Sequence, residues 1–180
     1  MMQMQYLIID QTQKQKYMKV SIIYHSESGN VKKMADIIAL GCQGILNTEV
    51  KLMSVEKINK EYLSESKVVF FGSPTYCGNC SWQIKKYLDY HPKELSGKLG
   101  AVFISQSQTG GGGASFAAMS VISELLVCGM LVYSSGIAEG KPILHFGAIS
   151  QKAPTENTLD YNRCIKLGER ITLKAQELFD

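Results

Sequence analysis

Apolar residues along this chain come in two alternating patterns. Short runs rich in β-branched residues, Lys19 to Tyr24, Glu49 to Met53, Val68 to Gly72, Leu99 to Ile104 and Met130 to Tyr133, read as strands. Between them, apolar positions recur at helical spacing: Val31, Met34, Ala35, Ile38, Cys42 and Ile45 form one such face, and Ile84 and Leu88 point one way within Ser81 to Tyr90. Ala114, Ala117, Ala118, Val121, Ile122 and Leu125 mark a further helix, whose small residues permit close approach to a sheet. Cys164, Gly168, Ile171, Ala175 and Leu178 mark the last, with Thr155 or Asn157 as its cap. Val68 to Gly72 has no polar position, as expected for a strand covered on both faces.

Strands that alternate with helices call for a parallel sheet with helices on both faces, an α/β three-layer sandwich. Right-handed crossovers reduce the topologies to a few, and five parallel strands in the order 2-1-3-4-5 are the common solution. In such sheets ligands sit beyond the carboxyl ends of the strands, where the strand order reverses. The loops after strands one, three and four should converge there.

Size and composition narrow the function classes. A chain of 180 residues suits one domain, and 45% hydrophobic with 19% charged residues is ordinary globular composition. Met18-Lys19-Val20 reads as the natural beginning of the fold, so residues 1–17 are expected to be an N-terminal extension and 18–180 the domain. No apolar run approaches the roughly 20 residues of a membrane span, and residues 1–17 lack the pattern of an export signal. Five cysteines, an odd number, without that signal point to a reducing, cytoplasmic setting. Net charge is +3 with no basic block interleaved with aromatics, which argues against nucleic-acid binding.

The three converging loops hold the unusual residues. His25-Ser26-Glu27-Ser28-Gly29-Asn30-Val31 joins a strand to a helix and brings two hydroxyls and a glycine to a helix N-terminus, a ready phosphate site. It is neither a Walker loop nor a GxGxxG fingerprint. The plain alternative is that Ser28 or Asn30 only caps the helix. Gly72-Ser73-Pro74-Thr75-Tyr76-Cys77-Gly78-Asn79-Cys80-Ser81 offers an aromatic, two thiols and exposed amides to a flat ligand; its plain alternative is an ordinary turn. Ser105-Gln106-Ser107-Gln108-Thr109-Gly110 runs into three more glycines, which suits a backbone lying against a ligand. His25, His91 and His145 show no metal spacing, and Cys42 and Cys164 fall on helix core faces, leaving no four-cysteine cluster. Trp82 and the methionines read as core or pocket filling.

Together these loops resemble the flavodoxin-like NAD(P)H:quinone oxidoreductases of the WrbA type. The resemblance rests on Ser26-x-x-Gly29 with Val31, Gly72-Ser73-Pro74-Thr75-Tyr76 with Gly78-Asn79, Ser81 and Gln83, and the Ser105 to Gly113 loop. Gly129-Met130, Phe146-Gly147-Ala148 and Pro154-x-Glu156-Asn157 extend it over nearly all of Met18 to Asp180. It implies a flavodoxin-like fold and a flavin mononucleotide (FMN) cofactor, with its phosphate on Ser26, Glu27, Ser28, Gly29, Asn30 and Val31. Thr75, Tyr76, Cys77 and Gly78 would line the isoalloxazine ring, and Ser105, Gln106, Ser107, Gln108, Thr109 and Gly110 would close over its other side.

The implied activity is FMN-dependent oxidoreduction, with NAD(P)H as co-substrate and a quinone or similar small acceptor. An electron carrier serving a redox partner protein is the alternative, and homo-oligomers occur in the family. Cys128 stands where the family places a histidine near the flavin, and the connections Tyr90 to Leu99 and Ser134 to Leu144 are shortened. These departures weigh against quinone as substrate and against the family's tetramer. Cys77-x-x-Cys80 before a helix is an added feature, either a redox pair or two reduced thiols lining a pocket.

Overall fold

The computed structural model describes residues 17–108 and 112–179. The extension expected at residues 1–17 lies outside them except for Tyr17, as do Thr109 and Gly110 of the third loop. The elements in chain order are β1 (Met18–Tyr24), α1 (Asn30–Gln43), β2 (Thr48–Ser54), α2 (Lys60–Glu65), β3 (Val68–Pro74) and α3 (Trp82–Tyr90). They continue as β4 (Leu99–Gln106), α4 (Ala114–Val127), β5 (Leu131–Val132), β6 (Ala148–Gln151) and α5 (Leu159–Phe179).

The sheet is parallel throughout, in the order β2-β1-β3-β4-β5, with β6 also paired to β4. Alternation along each strand sorts its side chains into two cores. Val20 and Ile22 of β1, Val68 and Phe70 of β3, and Leu99, Ala101 and Phe103 of β4 pack with α1 and α5. Ile23, Val69, Phe71, Val102 and Ile104 face the other way, against α3 and α4. Strands β3 and β4 are buried along almost their whole length, which explains their unbroken apolar sequences.

The fifth strand position departs from the single run expected at Met130 to Tyr133. Leu131–Val132 pairs with Leu99–Gly100, and the chain leaves the sheet before Ala148–Gln151 returns to pair with Phe103–Gln106. The excursion is held to α5 by Arg170, whose guanidinium donates to Ser135 Oγ (3.1 Å) and to the carbonyls of Glu139 (3.0 Å), Lys141 (3.1 Å) and Pro142 (3.0 Å). Helix α5 begins at Leu159, and Thr158 caps it by accepting from the Tyr161 N–H at 3.3 Å. That corrects the expectation of Thr155 or Asn157; the Thr155 carbonyl instead accepts from the Thr158 hydroxyl.

Candidate functional site

Three loops leave the carboxyl ends of β1, β3 and β4 and are stitched to one another by backbone hydrogen bonds. The His25 N–H donates to the Gly72 carbonyl (3.0 Å), and the Thr75 N–H to the Ser105 carbonyl (2.8 Å). The returning strand β6 braces the third loop: Lys152 N–H donates to the Gln106 carbonyl (2.9 Å), and Gln151 Nε2 to the Ser107 carbonyl (3.2 Å). The interrupted fifth strand therefore positions the site, a role its sequence did not advertise.

Between the loops lies a cleft of about 190 Å³. It is lined by Ser26, Glu27, Ser28, Asn30, Val31, Thr75, Tyr76, Ser105, Gln106 and Ser107, all expected from the sequence, and by Pro74. Gly29, the residue before α1, joins Ser28 to Asn30 but does not itself line the cleft. Cys77, Gly78 and Gln108 do not line it.

The first loop meets α1 without a side-chain cap from the N-cap residue itself. Gly29 occupies the N-cap position at φ 83°, and neither Ser28 nor Asn30 bonds back to the helix. The only hydroxyl engaged there among the described residues is Ser26 Oγ, which accepts from the Lys32 N–H at 3.2 Å. Ser26 thus meets the third amide of the helix, while those of Asn30 and Val31, which line the cleft, have no side-chain cap and keep their donors for something else. Thr75 Oγ1 gives a second sign: it is buried on the cleft wall with no hydrogen-bond partner among the described residues. A phosphate for the uncapped amides and a polar group for Thr75 would satisfy both, so the residues present fit FMN.

The second loop ends in a tight turn. Tyr76 and Asn79 exchange two backbone bonds of 2.9 Å, and both central residues have positive φ, Cys77 at 50° and Gly78 at 74°. This is the type I′ pattern, which bends the chain back sharply and turns Cys77 outward. Cys80 is buried, with Sγ 3.9 Å from Ser120 Oγ, and burial, aided by Glu124, pushes its thiol above the usual range. Its surroundings therefore oppose the lowered thiol pKa expected of a redox pair. Burial likewise pushes Cys42 and Cys164 up to about 12. At pH 8, a thiol reagent should modify Cys77 rapidly and the four buried cysteines only after unfolding, giving one fast equivalent by mass spectrometry; two fast equivalents would contradict this burial pattern.

Electrostatics at the rim centre on two carboxylates that the sequence reading had not brought together. His25 is buried at the end of β1, its Nδ1 2.8 Å from Glu56 Oε1 and its Nε2 3.6 Å from Glu27 Oε1. Burial works to raise the Glu56 carboxyl, but hydrogen bonds from Ser54, from its own backbone and from His25 outweigh it and hold it below the usual range. Burial raises the Tyr76 hydroxyl, helped by the neighbouring Glu27 carboxylate. Among the described residues no cluster of potential metal ligands occurs, and no helix is long and apolar enough to cross a membrane.

A cleft bordered by three loops at the reversal point of a 2-1-3-4-5 sheet defines the class of flavodoxin-like α/β proteins, and comparison with known proteins gives the family. The family model "Flavodoxin domain" matches residues 21–113. A flavodoxin of Clostridium saccharobutylicum is 41% identical, the match covering 90% of this chain and 100% of that protein. An NAD(P)H dehydrogenase (quinone) of Archaeoglobus fulgidus is 27% identical over 89% of this chain and 98% of its own. A flavodoxin structure from the domain Archaea superposes with a TM-score of 0.69 at 26% identity, covering 88% of this chain and 99% of that one. The chain belongs to the flavodoxin family.

Proposed function

We propose that this protein binds FMN and transfers electrons through it. The observation that carries the reading is the N-terminus of α1, whose first two amides have no side-chain cap, opening on a cleft whose wall holds the Thr75 hydroxyl, unpartnered among the described residues. Ser26 and the backbone amides from Ser28 to Val31 would hold the phosphate, and Thr75, Tyr76 and Ser105 to Ser107 would border the ring. Bound FMN supplies the redox chemistry; the chain supplies binding, orientation and electrostatics.

Two ways of using the flavin follow. The flavodoxin relative, aligned over its full length, favours an electron carrier that serves a redox partner protein. The net charge of +3 favours the second, an NAD(P)H-dependent reductase of a small acceptor such as a quinone, because carriers of this kind are strongly acidic to steer onto basic partners. Anaerobic mixing of the FMN-loaded protein with NADH or NADPH separates them. A carrier keeps its yellow colour until a separate reductase is added. A reductase is bleached directly, and a quinone restores the colour.

A further inference from the structure

A second and larger cleft, of about 560 Å³, lies outside the loops just described, between α3 and the turn that follows β2. One wall is α3. Trp82, Lys86 and Tyr90 recur every fourth residue and so share a stripe, and Gln83, Tyr87 and His91 form the adjoining one. Val55 and Glu56 make the opposite wall.

The aromatic wall is partly fixed in place. Tyr87 stacks on His91 at 4.8 Å and donates its hydroxyl to Glu94 (3.2 Å), which also pairs with His91 and with Lys60, each at 3.4 Å. Trp82 and Tyr90, by contrast, leave 65% and 75% of their surfaces exposed. Small-molecule sites have this character: roughly 300–1,000 Å³, mostly apolar or aromatic, with a few convergent polar groups. The polar groups here are Glu56, already bonded to His25 and Ser54; Gln83, whose buried Oε1 has no partner among the described residues; and Lys86.

Lys86 decides the charge of the occupant. Its ammonium sits 5.7 Å from the centre of the Trp82 ring, and among the described residues no carboxylate pairs with it, whereas the neighbouring Lys85 is bonded to Asp89. A cation held against an aromatic wall without a counter-ion complements an anion attached to a flat ring.

We propose that this cleft binds a planar aromatic molecule bearing an anionic group, with the ring on the Trp82–Tyr87–Tyr90 wall and the anion on Lys86. Such chemistry has two sources, a nucleotide or an acidic quinone. The site is separate from the FMN cleft but adjoins it, since Glu56 lines the one and holds His25, next to Ser26 of the other.

Trp82 is the sole tryptophan of the chain, so its fluorescence reports on this cleft. Adenosine monophosphate and 1,4-naphthoquinone-2-sulfonate are titrated into the protein with and without FMN, alongside the neutral adenosine and 2-methyl-1,4-naphthoquinone. Saturable quenching by at least one anionic probe is expected, in both flavin states. It should be about tenfold weaker in Lys86→Gln, the loss of one charge-assisted contact. Quenching by the phosphate alone assigns a nucleotide, and by the sulfonate alone an acidic quinone. Absence of saturation, equal binding of the neutral probes, or an unchanged Lys86→Gln titration would each overturn the proposal. FMN affinity, read separately from flavin emission, stays normal in all of these cases unless the flavin reading itself fails.

Discussion

Replacing Gly29 with valine should weaken FMN binding by about a hundredfold while the protein stays folded, for two reasons that act on the same peptide. Gly29 stands at φ 83°, where a β-branched side chain is an outlier and any L-residue costs about 1–2 kcal/mol. A Cβ built there meets no other atom within 4 Å, so the rest of the fold has no reason to object. The loop relieves the strain by rotating away from positive φ, and the first amides of α1 then no longer point together into the cleft. Hydrogen bonds to a charged group are worth about 1.5–3 kcal/mol each, so losing one or two accounts for roughly two orders of magnitude in Kd. Quenching of FMN fluorescence measures the affinity, and circular dichroism confirms the fold. Unchanged affinity in a folded variant would remove this loop from the site.

The largest expected effect on stability is at Gly168, where α5 crosses α1. A Cβ at Gly168 would lie 2.3 Å from the Ile38 carbonyl oxygen and 2.9 Å from the Cys42 nitrogen, and one at Gly41 would lie 2.2 Å from the Ile165 carbonyl oxygen. The helices thus touch backbone to backbone, and the Cys42 thiol reaches the Gly168 carbonyl at 3.6 Å. Gly168→Ala gains about 1 kcal/mol of helix propensity but must drive two backbones apart, and overpacking of this kind costs about 1–3 kcal/mol or more. Backbone has no alternative rotamer, so the upper end applies and a net loss of about 2 kcal/mol is expected. Urea unfolding reads it as a lowered midpoint at unchanged slope. A raised midpoint would show that the helices separate easily and that the tight crossing contributes little.

The parts of this fold legible in the sequence are those where burial imposes a period. Strands β1, β3 and β4 and helices α1, α4 and α5 all carry long apolar patterns because each faces a core. Helix α2 has only six residues, with Tyr62 and Leu63 buried, too short a pattern to declare itself. The fifth strand position shows only its first piece in the sequence, within Met130 to Tyr133, because β5 and β6 are two and four residues long and their alignment is set by pairing to β4 rather than by their own sequence.

Site residues show the same division. Ser26 to Val31 could be read because hydroxyls and glycine between a strand and a helix have a local chemical meaning. Cys77, Gly78 and Gln108 were expected in the cleft, which they do not line: a type I′ turn displaces the first two, and nothing in the structure singles out the reason for Gln108. The His25–Glu56 pair joins residues 31 positions apart, and only the end-to-end alignment of β1 with β2 reveals it. Trp82, read as core or pocket filling, proves to be largely exposed on the wall of a separate cleft, since its place at the first turn of α3 is fixed by the Ser81 cap rather than by apolar spacing.

Whether the α1 N-terminus holds the phosphate of a flavin is read from paired titrations with FMN and riboflavin. The two share the ring system and differ by the phosphate alone, so their affinity ratio isolates the contribution of the first loop. FMN should bind at least about a hundredfold more tightly than riboflavin, as expected for a few charge-assisted bonds to the first amides of α1. FMN should also outcompete FAD, because the loop suits a terminal phosphate. Equal affinity for FMN and riboflavin, or tighter binding of FAD, would contradict it.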